Sequence, residues 1–551
     1  MNELGNYSIE PSSMRPFQFR HVSLYSRYTA RRFTTIRALS NALQINQRLQ
    51  VPSETVNEET QDVTAIDSLL NIVKLRVNPR FESIMPMRIP SLWAEARLAI
   101  AHEEEARSSV ATNFHTSLES LTDDLPPRNM HDSYTQFILH FSSDPNLLEE
   151  YVNASGGIRT GKLMEHLDSL AGSISYKHVL GPTKSELKVE EMGLYIVTAG
   201  VERIDMLRPL TSDRDLRLSG QVIYTGRSSM EVVVRIESVA PRGTQEKDET
   251  ILLGRFSMVC RNAKTNQAYP VNPLIISTEA EKDLFSIGQE LKRRRASLAQ
   301  RSLSRVPPSS QEAAALHQNY LEFGESMSQH NYGHQQTSPS VKTVHYDFIG
   351  LGDSQDSLSS TGLDYTAELV PMGETRIERC MLMFPQERNV HQKIFGGYLM
   401  RLAYELGFSN ASMFCRGRVR FLALDEISFK LPVPIGSILR LNSVVLYDDF
   451  IKEREGNGED NVYQLVHVGV RANVVDIKTG TEKTTNEFRF TWRSEEKLAR
   501  VPGNHHVEAK KVRKVVPKTY REAMLWLEAR RAVAVGDGIR TLTTKRQQSR
   551  S

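Results

Sequence analysis

The feature that most constrains this chain is that one order of elements occurs twice. In the first series, alternation from Tyr134 to Phe141 (Y-T-Q-F-I-L-H-F) predicts a strand, and Gly156-Gly157 marks a loop. Leu163, Leu167, Leu170 and Ile174 then recur at helical spacing, which predicts a helix from about Gly161 to Ile174. Strands are predicted over 193–207, 214–224, 229–240 and 250–261, with Met230, Val232, Val234 and Ile236 alternating cleanly. In the second series a strand over 375–384 leads into the loop P-Q-E-R-N-V-H-Q-K-I-F. A helix opens at Gly396-Gly397 and carries Leu399, Leu402, Ala403 and Leu406 on one stripe. Strands follow at 418–431, 437–447, 461–476 and 483–492, the last placing Phe488, Phe490 and Trp492 on one face. Matching the helix starts pairs Gly161 with Gly397, an offset of 236. Matching the last strands pairs Phe256 and Met258 with Phe488 and Phe490, an offset of 232.

One long helix between a first strand and four antiparallel strands is an α+β layout in which a sheet wraps the helix, the hotdog layout. Two copies predict a double hotdog whose sheets join edge to edge, which also removes two exposed edges. The chain divides accordingly. Residues 54–124 read as a helical N-terminal extension, with L-W-A-E-A-R-L-A-I-A-H-E-E-E-A-R as the clearest helix. Residues 125–275 and 371–500 are the two hotdog repeats. Residues 276–370 hold one basic, Ser-rich stretch (L-K-R-R-R-A-S-L-A-Q-R-S-L-S-R) and polar segments poor in core residues, and read as a partly flexible linker with one or two helical turns. Its arginine run (L-K-R-R-R-A-S) reads as a solvated helix face before a modification site or an anion patch. Residues 501–551 read as a C-terminal helix with a disordered tail.

Charge singles out the first 53 residues. They hold seven arginines, no lysine, and only Glu3 and Glu10 as acids, interleaved with Ser, Thr and aromatics. That is the composition of a mitochondrial transit peptide, with the matrix as destination. Without it the net charge of +3 falls to −2. Neither value suggests general nucleic-acid binding. No run of 18 apolar residues predicts a membrane-spanning helix. Cys260, Cys380 and Cys415 are too scattered for a disulfide framework or a Cys-rich zinc site.

No H-E-x-x-H, G-x-S-x-G, P-loop or C-x-x-C pattern is present, so the chemistry is sought at the helix N-termini. Gly396-Gly397 removes side chains where a helix begins, so bare N–H groups can hold an oxyanion. The same glycines would equally serve tight helix–sheet packing. Asn389 and His391 precede them in the loop, placed to orient water or a carbonyl, or simply to hydrogen-bond the loop. Asp168 lies beside the apolar stripe of the first helix, where a carboxylate is either hydrogen-bonded or functional, as a general base for instance. Its counterpart in the second helix is Tyr404, followed by Glu405, a further substrate-binding candidate. The two halves are therefore chemically unequal.

The stretch P-Q-E-R-N-V-H-Q-K-I-F-G-G-Y-L-M-R-L-A-Y-E-L-G resembles the acyl-coenzyme A thioesterase 9 family of mitochondrial double-hotdog enzymes. L-P-P-R-N-M-H-D-S-Y, L-D-S-L, I-D-M, A-Y-P-V-N-P-L and P-K-T-Y-R-E-A-M-L-W-L-E resemble further family blocks, in the expected order over roughly residues 120–530. The resemblance implies hydrolysis of acyl-CoA to free fatty acid and CoA-SH at one composite site. Asp168 matches its acid. Lys393 stands where the loop Asn is expected, leaving Asn389 or His391 for that role. It also implies a trimer of double hotdogs and no metal or redox cofactor, coenzyme A being part of the substrate. Two other readings stand beside it. One is a non-catalytic acyl-CoA-binding protein. The other is a hydroxyacyl-thioester dehydratase using Asp168 with His391.

Overall fold

A computed structural model of the chain describes residues 63, 65–69, 125–181, 193–241, 243, 246–324, 341–347, 362–389, 392–454, 460–498 and 511–548. Residues 1–53, read above as a transit peptide, and nearly all of the N-terminal extension lie outside the described residues, and so does His391. In the first half, strand β1 (Thr135–Leu139) and the short helix α1 (Pro145–Tyr151) precede a long helix, α2 (Thr160–Leu180). Strands β2 (Leu194–Met206), β3 (Leu216–Thr225), β4 (Ser229–Ser238) and β5 (Glu249–Asn262) follow. Helix α2 runs six residues past Ile174, because Tyr176, His178 and Leu180 also have buried surroundings. A helix buried on nearly all sides needs no polar face.

Between the halves lie helices α3 (Glu279–Gln300) and α4 (Ser310–Asn319) and strands β6 (Val341–Asp347) and β7 (Gly362–Pro371). This is more structure than the linker reading anticipated. Helix α3 starts at a capping box made by Thr278 and Glu281, a local signal that its basic composition masks. Leu284 and Leu291 of α3 pack with Val63 and Ile66 over Ile223, Val233 and Leu253, on the sheet face away from α2. The arginine run is not wholly solvated either, since Arg295 reaches the buried Glu231 at 2.6 Å.

The second half contains β8 (Ile377–Leu382), α5 (Gly396–Cys415), β9 (Val419–Phe429), β10 (Ile438–Arg454), β11 (Asp460–Val475) and β12 (Glu482–Leu498). A last strand, β13 (Lys511–Val516), pairs in parallel with β7, and helix α6 (Tyr520–Gln548) closes the described chain. Among the described residues, ten strands form one sheet in the order β8-β10-β11-β12-β9-β2-β5-β4-β3-β1, every neighbour antiparallel. The halves meet where β9 pairs with β2, with Leu424 opposite Ile204 and Ile427 opposite Val201. One hydrophobic cluster runs through both halves and includes residues of α2 and α5.

The two halves match in detail, at a register that differs from the sequence alignment in the last strands. The β2–β5 ladder shifts between Thr198 and Gly200 and again between Val201 and Arg203. The β9–β12 ladder shifts between Phe421 and Ala423 and again between Leu424 and Glu426. Superposing these bulges makes Thr198 equivalent to Phe421. Their ladder partners then correspond, so Met258 matches Trp492 and Phe256 matches Phe490. The offset in these strands is 234. Apolar alternation has period two, so a slip of two residues leaves the pattern intact and only strand pairing resolves it.

Candidate active site

Both central helices are entered through the same loop. In the second half the Asn389 amide donates to the Lys393 carbonyl at 2.7 Å, and the Lys393 amide donates to Asn389 Oδ1 at 3.1 Å. In the first half Asn153 and Gly157 make the same pair of bonds, at 2.7 and 3.0 Å. Gln392 and Gly156 sit at the same point with φ of 56° and 80°. Asn389 is thus the turn-forming residue of its loop, as Asn153 is of the other, and Lys393 contributes only backbone to these bonds. The matched loops deliver Gly161 to the first turn of α2 and Gly397 to the first turn of α5.

Helices α2 and α5 pack so closely that each presents its first turn to the middle of the other. A Cβ on Gly397 would lie 2.9 Å from the Glu165 carbonyl oxygen and 3.0 Å from its Cα. A Cβ on Gly161 would lie 3.1 Å from the Tyr404 ring. The tight-packing role of these glycines is therefore real. It creates two junctions, one between α2 and the start of α5, the other between α5 and the start of α2.

The first junction holds Asp168. Its side chain is buried, accepts a 2.7 Å hydrogen bond from Thr198 Oγ1, and is bonded by the Gly397 amide. Burial pushes its carboxyl up to about 6, against the pull of those two donors toward the ionised form. A Cβ on Gly396 would come within 3.0 Å of Asp168 Oδ2 and 3.3 Å of the Phe429 ring, so the missing side chain leaves the carboxylate open at that point. The Gly397 amide, expected to hold an oxyanion, instead anchors Asp168. The Gly396 amide, first in α5, has no intrahelical acceptor.

The second junction has the same frame and different contents. Tyr404 takes the place of Asp168, and its phenol, pushed up by burial, is bonded to the Thr160 side chain. Phe421 takes the place of Thr198. Tyr404, Phe421 and Trp492 form a ring cluster, with centroids 4.9 Å apart for Tyr404–Trp492 and 5.5 Å for the other two pairs. Glu405 sits at the rim of this junction, ion-paired with Arg159 at 3.4 Å and Arg379 at 3.5 Å. It belongs with the start of α2, not with Asp168, because each helix reaches across to the other's first turn. Sequence reasoning missed Thr198 altogether. A hydroxyl 30 residues away, on another element, carries no local signal, and only the packing of β2 on α2 brings it there.

Residues 159–243 match the model of the thioesterase superfamily. The architecture of helix and large antiparallel sheet is the hotdog thioesterase fold. The chain is 32% identical over 419 residues to the mitochondrial acyl-coenzyme A thioesterase 9 of Mus musculus, covering 76% of this chain and 81% of that protein. It is 32% identical over 398 residues to the chloroplastic acyl-coenzyme A thioesterase 2 of Humulus lupulus, covering 72% and 79%. Among solved structures it is similar to an acyl-CoA hydrolase from Staphylococcus aureus, at 19% identity and a TM-score of 0.26, over 33% of this chain and 98% of that one. On the extent and identity of its match to the curated thioesterase 9 relative, this chain belongs to the acyl-coenzyme A thioesterase 9 family.

Proposed function

We propose that the protein hydrolyses acyl-CoA to free fatty acid and CoA-SH, with one working site per chain, between two hotdog repeats. The observation that carries this is the first junction, where a buried carboxylate is held against the first turn of a helix from the other half. Asp168, ionised above pH ~6, takes a proton from water as the water oxygen attacks the thioester carbon. The carbonyl oxygen becomes an oxyanion, and the Gly396 amide at the positive end of α5 donates to it. Collapse of the tetrahedral intermediate breaks the C–S bond, and the proton on Asp168 goes to the departing thiolate. Thr198 and the Gly397 amide position Asp168. Asn389 holds the loop that delivers Gly396, and His391, outside the described residues, is the second candidate for orienting water or the acyl carbonyl. The sequence is complete without a metal or redox cofactor.

The second junction lacks the base and its hydroxyl partner, which supports a single site. Matched loops and bulges support the double-hotdog reading. The reading includes mitochondrial import through residues 1–53, with the matrix as destination, and assembly as a trimer of double hotdogs. Fusion of residues 1–53 to a fluorescent reporter tests import, and sedimentation tests the trimer. The central experiment is thiol release by the full chain from short-, medium- and long-chain acyl-CoA, beside Asp168→Asn. Release by wild type and a loss of ~10²-fold or more in the variant support the mechanism. Binding of acyl-CoA without thiol release by wild type overturns it.

A further inference from the structure

The internal symmetry of the chain says more about the first junction than its own contacts do. Four positions are aromatic in the second half and pack on one another, from Trp492 and Phe421, buried between helix and sheet, out to Phe408, which is 39% exposed. They are Tyr404, Phe408, Phe421 and Trp492, with Phe408 and Trp492 ring centroids 5.7 Å apart. The equivalent positions in the first half are Asp168, Gly172, Thr198 and Met258, and each is smaller. Asp168 and Thr198 are bonded to each other. Gly172 and Met258 have no part in that bond.

Gly172 lies in the middle of α2 and is buried. Its backbone is not at positive φ. A glycine inside a helix is destabilising relative to alanine, and here no turn or cap requires one. Four residues apart on a helix, Gly172 and Asp168 share a face, with Gly172 one turn further on. Met258 is buried on the facing sheet, opposite Thr198 in the ladder.

We infer that the acyl chain runs from the thioester at Asp168 along α2 past Gly172 and under Met258, and that these two residues set the chain length accepted. This rests on the acyl-CoA reading above. The step from Asp168 to Gly172 is ~6 Å along the helix axis, so bulk at 172 is met by chains of roughly six carbons or more and not by an acetyl group. The substrate class on this inference is a straight acyl chain of medium or greater length, on a path whose counterpart in the second half is taken by the buried Trp492 and, at its exposed end, Phe408.

The test is the chain-length profile of thiol release by the full chain, from acetyl- to palmitoyl-CoA, for wild type, Gly172→Phe and Met258→Trp. Wild type is expected to turn over decanoyl-CoA. Each variant is expected to lose ~10-fold or more on decanoyl-CoA while staying within ~3-fold on acetyl- or butyryl-CoA. Met258→Trp introduces the residue that the second half already carries at this register, so the two variants fail independently if one does not fold. Wild type confined to acetyl- through butyryl-CoA overturns the inference without any variant. An unchanged profile in a folded variant also overturns it and leaves the hydrolase reading standing. No thiol release by wild type from any acyl-CoA sinks the hydrolase reading itself, and the inference with it.

Discussion

Asp168 and Tyr404 occupy equivalent turns of the two central helices, and each faces the first turn of the other helix. One is a carboxylate held by Thr198 and the Gly397 amide. The other is a phenol held by Thr160 inside an aromatic cluster. The same frame therefore carries a titratable carboxylate on one side and a packed aromatic cluster on the other.

Replacing Asp168 by Asn keeps the side-chain shape and an oxygen for Thr198, and removes the base. kcat for thiol release is expected to fall ~10²–10⁴-fold, with KM little changed. The melting temperature should hold or rise above pH 6, since the buried charge is lost. A variant with near wild-type kcat would remove Asp168 from the mechanism.

Activity should rise with pH through about 6 and level off above it, because Asp168 works only when ionised. The same group destabilises the fold in that range. Its carboxyl is raised from 3.8, so the penalty is absent below pH ~4, grows between ~4 and ~6, and is full above. Thr198→Val removes a donor that favours the ionised form. The acid limb of kcat/KM should move to higher pH, with activity at pH 7 reduced several-fold. A limb that stays put would show that the Thr198 hydroxyl does not tune Asp168.

Glycines 396 and 397 make separable predictions. Gly396→Ala places a Cβ 3.0 Å from the Asp168 carboxylate and 3.3 Å from Phe429, so kcat should drop while the fold persists. Gly397→Ala places a Cβ 2.6 Å from the Phe395 ring and 2.9 Å from the Glu165 carbonyl, and should destabilise the fold by about 1–3 kcal/mol. Paired activity and denaturant-unfolding measurements distinguish the two. Equal behaviour of both variants would contradict the assignment.

The junction between halves depends on a buried arginine. Arg203 donates from Nε to Asp205 at 2.6 Å and from Nη1 to Asp425 at 2.7 Å, tying β2 to β9. All three side chains are nearly inaccessible. Arg203→Leu removes the guanidinium between two buried acids, leaving Asp425 with the Thr491 hydroxyl and both acids with the nearby charge of Arg540, and should cost about 2–4 kcal/mol. Because the working site is shared between halves, activity should be lost at a lower denaturant concentration in parallel with unfolding. A variant as stable as wild type would show that strand pairing alone holds the junction.

The sequence by itself determined the repeated order of elements, since helical and strand periodicities are local and each half shows them. It also singled out Gly396, Gly397 and Asp168, because paired glycines at a helix start and an acid beside an apolar stripe stand out without any fold. It could not place the last strands in register, because a slip of two residues preserves alternation. It could not see that α3 is a continuous helix through its polar, highly charged composition, nor that Leu284 and Leu291 would find the sheet. Tertiary structure decided the rest. Crossing α2 with α5 sends Asp168 to Gly396 and Glu405 to Arg159, and the packing of β2 on α2 carries Thr198 to Asp168. These are contacts between residues up to 246 apart, fixed by how helices and strands pack and not by any pattern within them.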